Sequence, residues 1–184
     1  MTATTNGTVS FAVFETGIGT CGIAWSEDAI VGTQLPEANE SATRARMKKR
    51  FPSATETTPP EPVQAAIEAI RALLRGEQYD ATSLKLDMTA VPEFDRNVYE
   101  IARDVPPGTT ITYGDIALRL GDKALSRAVG QALGKNPFAP LVPCHRVVSA
   151  DGKMHGFSAS GGTAMKLRML QTEGWRENEP TLFD

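Results

Sequence analysis

The spacing of the apolar residues changes along this chain, and this change constrains the fold more than any other feature. In the first 34 residues the apolar side chains tend to alternate, which predicts short strands over residues 9–14, 20–25 and 30–34. From residue 62 onward they recur three or four positions apart, which is the period of an amphipathic helix. The pattern therefore predicts an α+β fold, in which a strand-and-helix lobe packs on an α-rich lobe.

Residues 1–88 are predicted to form the first of these lobes, with a structural role. A polar helix over residues 40–50 is expected to expose its basic side chains: Arg44, Arg46, Lys48, Lys49 and Arg50. A loop over residues 51–62 leads into an apolar helix that ends near residue 74. Alternation over residues 84–88 predicts one more short strand. This part of the sequence contains no cluster of polar residues that predicts a site.

Residues 89–174 are predicted to form the second lobe, and residues 175–184 a loosely held tail. After a helix over residues 93–103, two short helices are joined by a tight turn at residues 121–125, with Ser126 as the expected N-cap of the second. This is the outline of a helix-turn-helix, and an ordinary helical hairpin is the alternative. A last helix is predicted from about residue 163 to Glu173.

The composition excludes several classes of protein. The chain has 184 residues, of which 41% are hydrophobic and 22% charged, as in a soluble globular protein. It has no apolar run of the roughly 20 residues that span a bilayer, and its first residues do not form a secretory signal. We therefore expect a cytoplasmic protein that does not bind membranes.

The cysteines and histidines are too few for a structural zinc site. Cys21 and Cys144 are far apart in sequence, and the histidines are His145 and His155. Cys21 alternates with neighbouring apolar residues on a predicted strand, so we expect it to be buried as a small apolar side chain. No metal is expected, and His155 is expected to be a loop residue.

The basic residues are concentrated in one region although the net charge is −3. Residues 119–168 contain eight lysines and arginines and only two aspartates, which leaves +6 over that stretch. Solvated surface charge would account for this excess, and so would a surface that faces an anion such as DNA.

Chemistry is concentrated at Cys144 and His145. A thiol is a nucleophile only as the thiolate, and a nearby base or cation makes the thiolate accessible near neutral pH. On a regular strand the two side chains would point to opposite faces, but Pro143 indicates a bend that would bring them together. Glu173 is a candidate third group that would orient the imidazole. The adjacency of Cys144 and His145 in sequence is equally compatible with a buried structural cysteine beside a surface histidine.

Five features in order resemble the O6-alkylguanine-DNA alkyltransferase family, also called methylated-DNA–protein-cysteine methyltransferases. They are Pro107-Gly-Thr-Thr-Ile-Thr-Tyr-Gly-Asp-Ile-Ala117, Ser126-Arg-Ala-Val-Gly130, Asn136-Pro137, Pro143-Cys-His-Arg-Val-Val148, and Lys166 to Glu173-Gly174. The resemblance covers roughly residues 91–174, and its Pro-Cys-His-Arg-Val core is highly specific. It implies a DNA-repair protein that moves an alkyl group from O6-alkylguanine, and less readily from O4-alkylthymine, onto its own cysteine.

The resemblance also implies roles for the catalytic residues. Cys144 would be the alkyl acceptor, His145 the base that deprotonates it through a water, and Glu173 the carboxylate that polarises His145. Tyr113 would donate to the flipped guanine, and Asn136 would brace the turn between recognition helix and active-site segment. Because a thioether is not hydrolysed back to a thiol, the implied reaction occurs once per molecule, without cofactor or metal.

Further residues would bind DNA and form the base pocket. In the family the second helix of the motif enters the minor groove, and Arg127 matches the side chain that fills the gap left by the flipped base. Ser126, Ala128 and Gly130 lie on the same helix. The matching pocket residues are Val147, Phe157, Ser158 and Lys166. The implied partner is double-stranded DNA that contains O6-alkylguanine, and the implied state is a monomer, with clustering along DNA left open.

Three other readings make different predictions. An alkyltransferase-like protein that only binds the lesion would lack the acceptor cysteine, which is present at Cys144. A Cys-His hydrolase would need an oxyanion hole and would turn over repeatedly. A helix-turn-helix regulator would bind a specific sequence through the major groove.

Overall fold

The computed structural model describes residues 7–27, 29–177 and 182. Its first half is built on a four-stranded sheet of order β3-β2-β1-β4, in which only β4 runs parallel to its neighbour. The strands are β1 (Val9–Thr16), β2 (Gly19–Ser26), β3 (Ala29–Gln34) and β4 (Thr55–Glu56). The three predicted strands are therefore confirmed, and β1 and β2 extend beyond their predicted ends.

Two helices cover the sheet. The helix α1 (Glu40–Arg50) follows β3, and α2 (Glu61–Leu74) follows β4. The predicted apolar face of α2 is buried in the core together with β1 and β2, and it comprises Val63, Ile67, Ile70 and Leu74. Cys21 is also buried in this core, as expected. These strands and helices are called the sheet lobe below.

The second half is mainly helical, as predicted. It contains α3 (Glu93–Arg103), α4 (Tyr113–Arg119), α5 (Ser126–Gly134) and α6 (Gly162–Thr172). Short strands β5 (Ile111–Thr112) and β6 (Val147–Val148) pair in parallel. This pairing places the start of α4 beside the Pro-Cys-His-Arg segment. Among the described residues, no helix has the length and apolar character that crossing a bilayer requires.

Two contacts fix the end of α6 between the halves. Gly76 and Gly108 both have positive φ angles, of +78° and +81°. A Cβ at Gly76 would lie 1.9 Å from the carbonyl oxygen of Thr172, and one at Gly108 would lie 2.7 Å from that of Glu173. Only glycine combines a positive φ angle with so close an approach of another backbone segment. Both glycines therefore allow the backbone at residues 172 and 173 to pack closely against the two halves.

Some predictions were wrong for local reasons. Residues 84–88 do not form a strand: Leu86 makes a single bridge to Ile30, and the segment turns away where Asp87 Oδ1 accepts from the Thr89 amide. Ser126 is not an N-cap. A 3₁₀ turn (Lys123–Leu125) runs directly into α5, so Ser126 has helical backbone angles and its hydroxyl donates to the Lys123 carbonyl.

Arg44 and Arg50, which were predicted to be exposed on α1, are half-buried, and Trp175, in the tail predicted to be loosely held, is buried. Arg50 is half-buried because its guanidinium donates to backbone and side-chain oxygens of β3. Trp175, in the predicted loose tail, packs against Val148 and Leu170. Residues 178–181, 183 and 184 of that tail lie outside the described residues.

Candidate active site

Cys144 lies in a 3₁₀ turn (Cys144–Arg146) that immediately precedes β6. The Cys144 amide donates to the Val142 carbonyl at 2.9 Å, and the Arg146 amide donates to the Pro143 carbonyl at 2.9 Å. The bend predicted at Pro143 is therefore present. Because the segment is a turn and not a strand, Cys144 and His145 are free of the alternation that would separate their side chains.

The Cys144 thiol is buried, with 9% of the residue exposed. Burial raises the pKa of this thiol, and three groups act against that: an Asn136 side-chain hydrogen bond, the positive charge of Lys166, and local backbone amides. The resting group is thus the neutral thiol. Its neighbours are arranged to stabilise the thiolate once a base removes the proton.

The ring of His145, the next residue along the chain, is held against Glu173. This ring is almost completely buried, and Nε2 lies 2.7 Å from Glu173 Oε1. Burial lowers the pKa of His145, although Glu173 partly compensates, so the imidazole is neutral near pH 7. A neutral ring that donates Nε2–H to the carboxylate carries its lone pair on Nδ1. Nδ1 has no hydrogen-bond partner within the described part of the chain.

Glu173 is held from three directions. Arg146 donates to both carboxylate oxygens at 2.8–3.2 Å, and the Gly108 amide donates to Oε2 at 3.1 Å. Burial alone would raise the pKa of Glu173, but His145 and Arg146 outweigh it and lower that pKa to about 2. Glu173 is therefore ionised at all physiological pH values, and its charge fixes the orientation of His145.

Arg146 is a site residue that the sequence interpretation missed. It is buried, and besides Glu173 it donates from Nη1 to the Val105 carbonyl at 2.7 Å. Its position directly after Cys144 and His145 could have indicated a place in the site. It was instead counted with the charged residues expected on the surface. Lys166 was counted in the same way and is also buried.

Lys166 and Tyr113 form a second polar group that interacts electrostatically with Cys144. Lys166 Nζ donates to the Val147 carbonyl at 2.6 Å and to Tyr113 Oη at 3.4 Å. Burial lowers the pKa of Lys166 to about 8, with the Cys144 charge acting in the opposite direction. Burial also raises the pKa of Tyr113. Tyr113 is therefore a neutral hydrogen-bond donor next to the thiol.

Asn136 links the end of α5 to the active-site turn. Its Nδ2 donates to the Val142 carbonyl at 2.8 Å, and its Oδ1 accepts from the Phe138 amide at 2.9 Å. Phe157 packs partly buried against the core that includes Cys144, whereas Ser158 and His155 are exposed in the loop before α6. The structure thus brings together most of the expected site: Asn136, Cys144, His145, Lys166, Glu173, Tyr113 and Val147.

The helix-turn-helix is formed by α4, the 3₁₀ turn and α5. Thr112 begins α4 with a capping box, in which its side chain accepts from the Asp115 amide and Asp115 accepts from the Thr112 amide. On α5, Arg127 is exposed and Ala128 and Gly130 are half-buried. The Tyr113 ring lies 3.8 Å from where a Gly130 Cβ would be. Tyr113 therefore joins this helix to the thiol site.

Six of the eight basic residues counted in the sequence are exposed: Arg119, Lys123, Arg127, Lys135, Lys153 and Arg168. Asp122 and Asp151 are exposed as well. The net positive surface is thus smaller than the sequence predicted, although it remains positive in an otherwise acidic chain. Within the described ranges, no three His, Cys, Asp or Glu side chains group as metal ligands would.

Comparison with known proteins places this site in a family. Residues 93–175 match the family model of the 6-O-methylguanine DNA methyltransferase DNA-binding domain. The chain is 31% identical to a methylated-DNA–protein-cysteine methyltransferase of Methanothermobacter thermautotrophicus over 153 residues, which cover 83% of this chain and 78% of that protein.

Solved structures agree over nearly the whole chain. The O6-methylguanine methyltransferase of Mycobacterium tuberculosis superposes with a TM-score of 0.70 at 29% identity, covering 96% of this chain and 99% of the other. A structure of OGT from the same organism in complex with DNA gives a TM-score of 0.70 at 28% identity, covering 90% and 93%. The chain belongs to the methylated-DNA–protein-cysteine methyltransferases, a family of DNA-repair enzymes.

Proposed function

We propose that this protein repairs O6-alkylguanine in duplex DNA by moving the alkyl group irreversibly onto Cys144. The observation that carries the proposal is the buried pair of His145 and Glu173. The Nδ1 atom of His145 has no partner among the described residues, and His145 directly follows the buried Cys144. A structural cysteine would need neither the base nor the ionised carboxylate behind it. The solved complex of a relative with DNA supports DNA as the partner.

The reaction begins with a proton transfer from the Cys144 thiol to His145 Nδ1, through one water. Glu173 stabilises the imidazolium that forms, and the Lys166 charge and the Asn136 hydrogen bond stabilise the thiolate. The sulfur then attacks the alkyl carbon in line with the bond to O6. A carbon–sulfur bond forms, the carbon–oxygen bond breaks, and its electron pair passes to the guanine.

Guanine leaves as the neutral base after taking up one proton, and His145 gives up the proton that it took from Cys144, so the protons balance. Tyr113 Oη, whose neutral state is favoured by burial, donates a hydrogen bond to the leaving base. The product on the protein is a thioether, and hydrolysis does not return it to a thiol. Each molecule therefore reacts once.

The target base is buried in the duplex, so the nucleotide must first rotate into the pocket. We assign entry into the minor groove to α5, with Arg127 filling the gap and Ser126, Ala128 and Gly130 next to the backbone. Val147, Phe157, Ser158 and Lys166 would surround the flipped base. We further propose that residues 89–174 form the reacting unit, residues 1–88 support it, and a cytoplasmic monomer is the working form.

Arg127→Ala is expected to slow repair of duplex DNA at least tenfold while leaving the reaction with free O6-benzylguanine within about twofold. The arginine offsets an unstacking cost of a few kcal/mol, which exists only when a base must leave the duplex. Transfer rates measured with both substrates check this. Arg75→Ala, an exposed arginine directly after α2, is the matched control. Equal losses with both substrates would remove Arg127 from its assigned role.

A titration tests the proposed function as a whole. A fixed amount of protein is mixed with increasing amounts of duplex that carries one O6-methylguanine, and the methyl groups lost from DNA are counted. We expect a plateau at one per protein molecule, independent of sequence around the lesion. Continued turnover would indicate a hydrolase, and binding restricted to one DNA sequence without methyl loss would indicate a regulator.

A further inference from the structure

The segment that joins α5 to the active-site turn is held by the sheet lobe. Thr33, on the edge strand β3, donates its amide to the Pro137 carbonyl at 2.8 Å and its hydroxyl to the Ala139 carbonyl at 2.7 Å. Thr33 is itself buried. Two carbonyl groups of this segment are therefore fixed by a single residue from the other half of the molecule.

Arg50 reinforces the same contact from the end of α1. Its Nη2 donates to the Pro137 carbonyl at 3.3 Å, while Nη1 donates to the Thr33 carbonyl at 2.5 Å and to Gln34 Oε1 at 3.0 Å. Burial, with a contribution from Arg46, lowers the pKa of Arg50 to about 10, so placing this charge here is costly. The hydrogen bonds to the segment and to β3 offset that cost.

The held segment follows Asn136, whose side chain reaches the residues just before Cys144. Asn136, next to Pro137, receives the Phe138 amide on Oδ1 and donates from Nδ2 to the Val142 carbonyl. The Cys144 amide donates to that same Val142 carbonyl at 2.9 Å, so Asn136 and Cys144 share one backbone acceptor. A shift of residues 137–139 would therefore move Asn136 relative to the sulfur.

We propose that Thr33 is a positioning residue for alkyl transfer: together with Arg50 it fixes residues 137–139 so that Asn136 holds the Val142 carbonyl, and with it the Cys144 turn, in place. This inference rests on the proposed function, because it takes Cys144 as the acceptor. It gives the sheet lobe, in which the sequence contains no candidate site, a part in setting the reactivity of the thiol.

Thr33→Val tests the contact because it keeps the shape of the side chain and removes the hydroxyl. We expect transfer from free O6-benzylguanine to slow about fivefold, the effect of one net hydrogen bond. We also expect the pH profile of Cys144 alkylation by iodoacetamide to move to higher pH, since the thiolate loses part of its support. Thr33→Ser, which retains the hydroxyl, should restore both values.

The substitution changes none of the other groups that interact with Cys144. They are His145, Lys166, Tyr113 and Tyr99, from the active-site turn and from α6, α4 and α3. A change in the pH profile can therefore be assigned to a displacement of the Cys144 turn. All rates are measured below the onset of thermal unfolding of each variant.

Thr43→Val is the matched control. Thr43 is a buried threonine of α1 whose hydroxyl donates to the Thr20 carbonyl and accepts from the Glu37 amide, within the sheet lobe. It should lower the thermal stability without changing the rate or the pH profile. If Thr33→Val and Thr43→Val behave alike in the folded protein, Thr33 is only structural and the inference is overturned.

If Thr33→Val folds poorly, Arg50→Gln provides a second test from α1. It should shift the pH profile of iodoacetamide alkylation in the same direction. An unchanged profile in this variant would likewise overturn the inference. Failure of the proposed function looks different, because the wild-type protein itself would then form no adduct on Cys144 with O6-benzylguanine. The iodoacetamide profile needs no alkyltransferase activity and would still report on Thr33.

Discussion

Replacing Cys144 with alanine is expected to abolish alkyl transfer while leaving the binding of DNA that contains O6-methylguanine intact. The variant lacks the thiol of the residue before His145, and a thioether product requires that thiol. In the proposed function, binding depends instead on α5 and on the exposed basic residues. Transfer of labelled methyl from DNA to protein, and retention of lesion DNA in a mobility-shift assay, measure the two properties separately.

Cys21→Ala is the matched control, because Cys21 is the other cysteine of the chain. Burial raises the pKa of Cys21 to about 12, and its hydrogen-bond neighbour is Thr16 rather than a base. It cannot replace Cys144, and Cys21→Ala should transfer methyl groups at the wild-type rate. Methyl transfer that survives in Cys144→Ala and disappears in the double variant would contradict the assignment of the acceptor.

The second large effect is expected for Glu173→Gln, in both rate and stability. A carboxylate can only accept the proton of His145 Nε2, whereas an amide can present its own N–H and favour the tautomer with the proton on Nδ1. That tautomer is not a base toward Cys144. Since general base catalysis contributes about 10²–10⁴-fold, we expect a loss of this size with duplex DNA and with free O6-benzylguanine alike.

The same substitution leaves Arg146 buried without a counter-charge. Removing one partner of a buried ion pair costs about 3–5 kcal/mol, a large share of the free energy of unfolding of a typical domain. Chemical denaturation of the variant measures this loss. Glu68→Gln is the control, since Glu68 forms an exposed ion pair with Arg71 on α2 and should cost less than about 1 kcal/mol.

The stability contributed by Glu173 should also depend on pH in a defined direction. Its folded-state pKa of about 2 is below its ordinary value of 4.5. A lowered carboxyl pKa stabilises the protein above the unfolded value, and this contribution, about 3 kcal/mol, is lost as pH falls toward 2. The stability gap between wild type and Glu173→Gln should therefore narrow between pH 5 and 2. A gap that stays constant would contradict the buried, ionised carboxylate.

The periodic parts of the fold could be predicted from sequence, and the local exceptions could not. The three strands and the apolar face of α2 follow from spacing, because each element buries one face. The strand expected over residues 84–88 fails at the Asp87 turn, which depends on a side chain accepting one backbone amide. Ser126 looked like an N-cap, but the preceding 3₁₀ turn already supplied helical geometry.

Some residues of the site could also be predicted from sequence, and others could not. Pro143 correctly predicted a bend at Cys144, while Glu173, 28 residues from His145, was only a candidate on residue type and gained its role from family resemblance. Arg146 and Thr33 were missed for a physical reason. The sequence does not distinguish a buried arginine from a solvated one. It also does not show that the hydroxyl of a threonine on a strand donates to a carbonyl 106 residues away.

The central claim is that Cys144 becomes covalently alkylated once per molecule. Peptide mass spectrometry after mixing the protein with duplex DNA that carries one O6-methylguanine tests it most directly. The account predicts one added methyl group, located on the peptide that contains Cys144, with saturation at one per protein. An unmodified Cys144 in protein that has removed methyl groups from the DNA, or a methyl group on another residue, would contradict it.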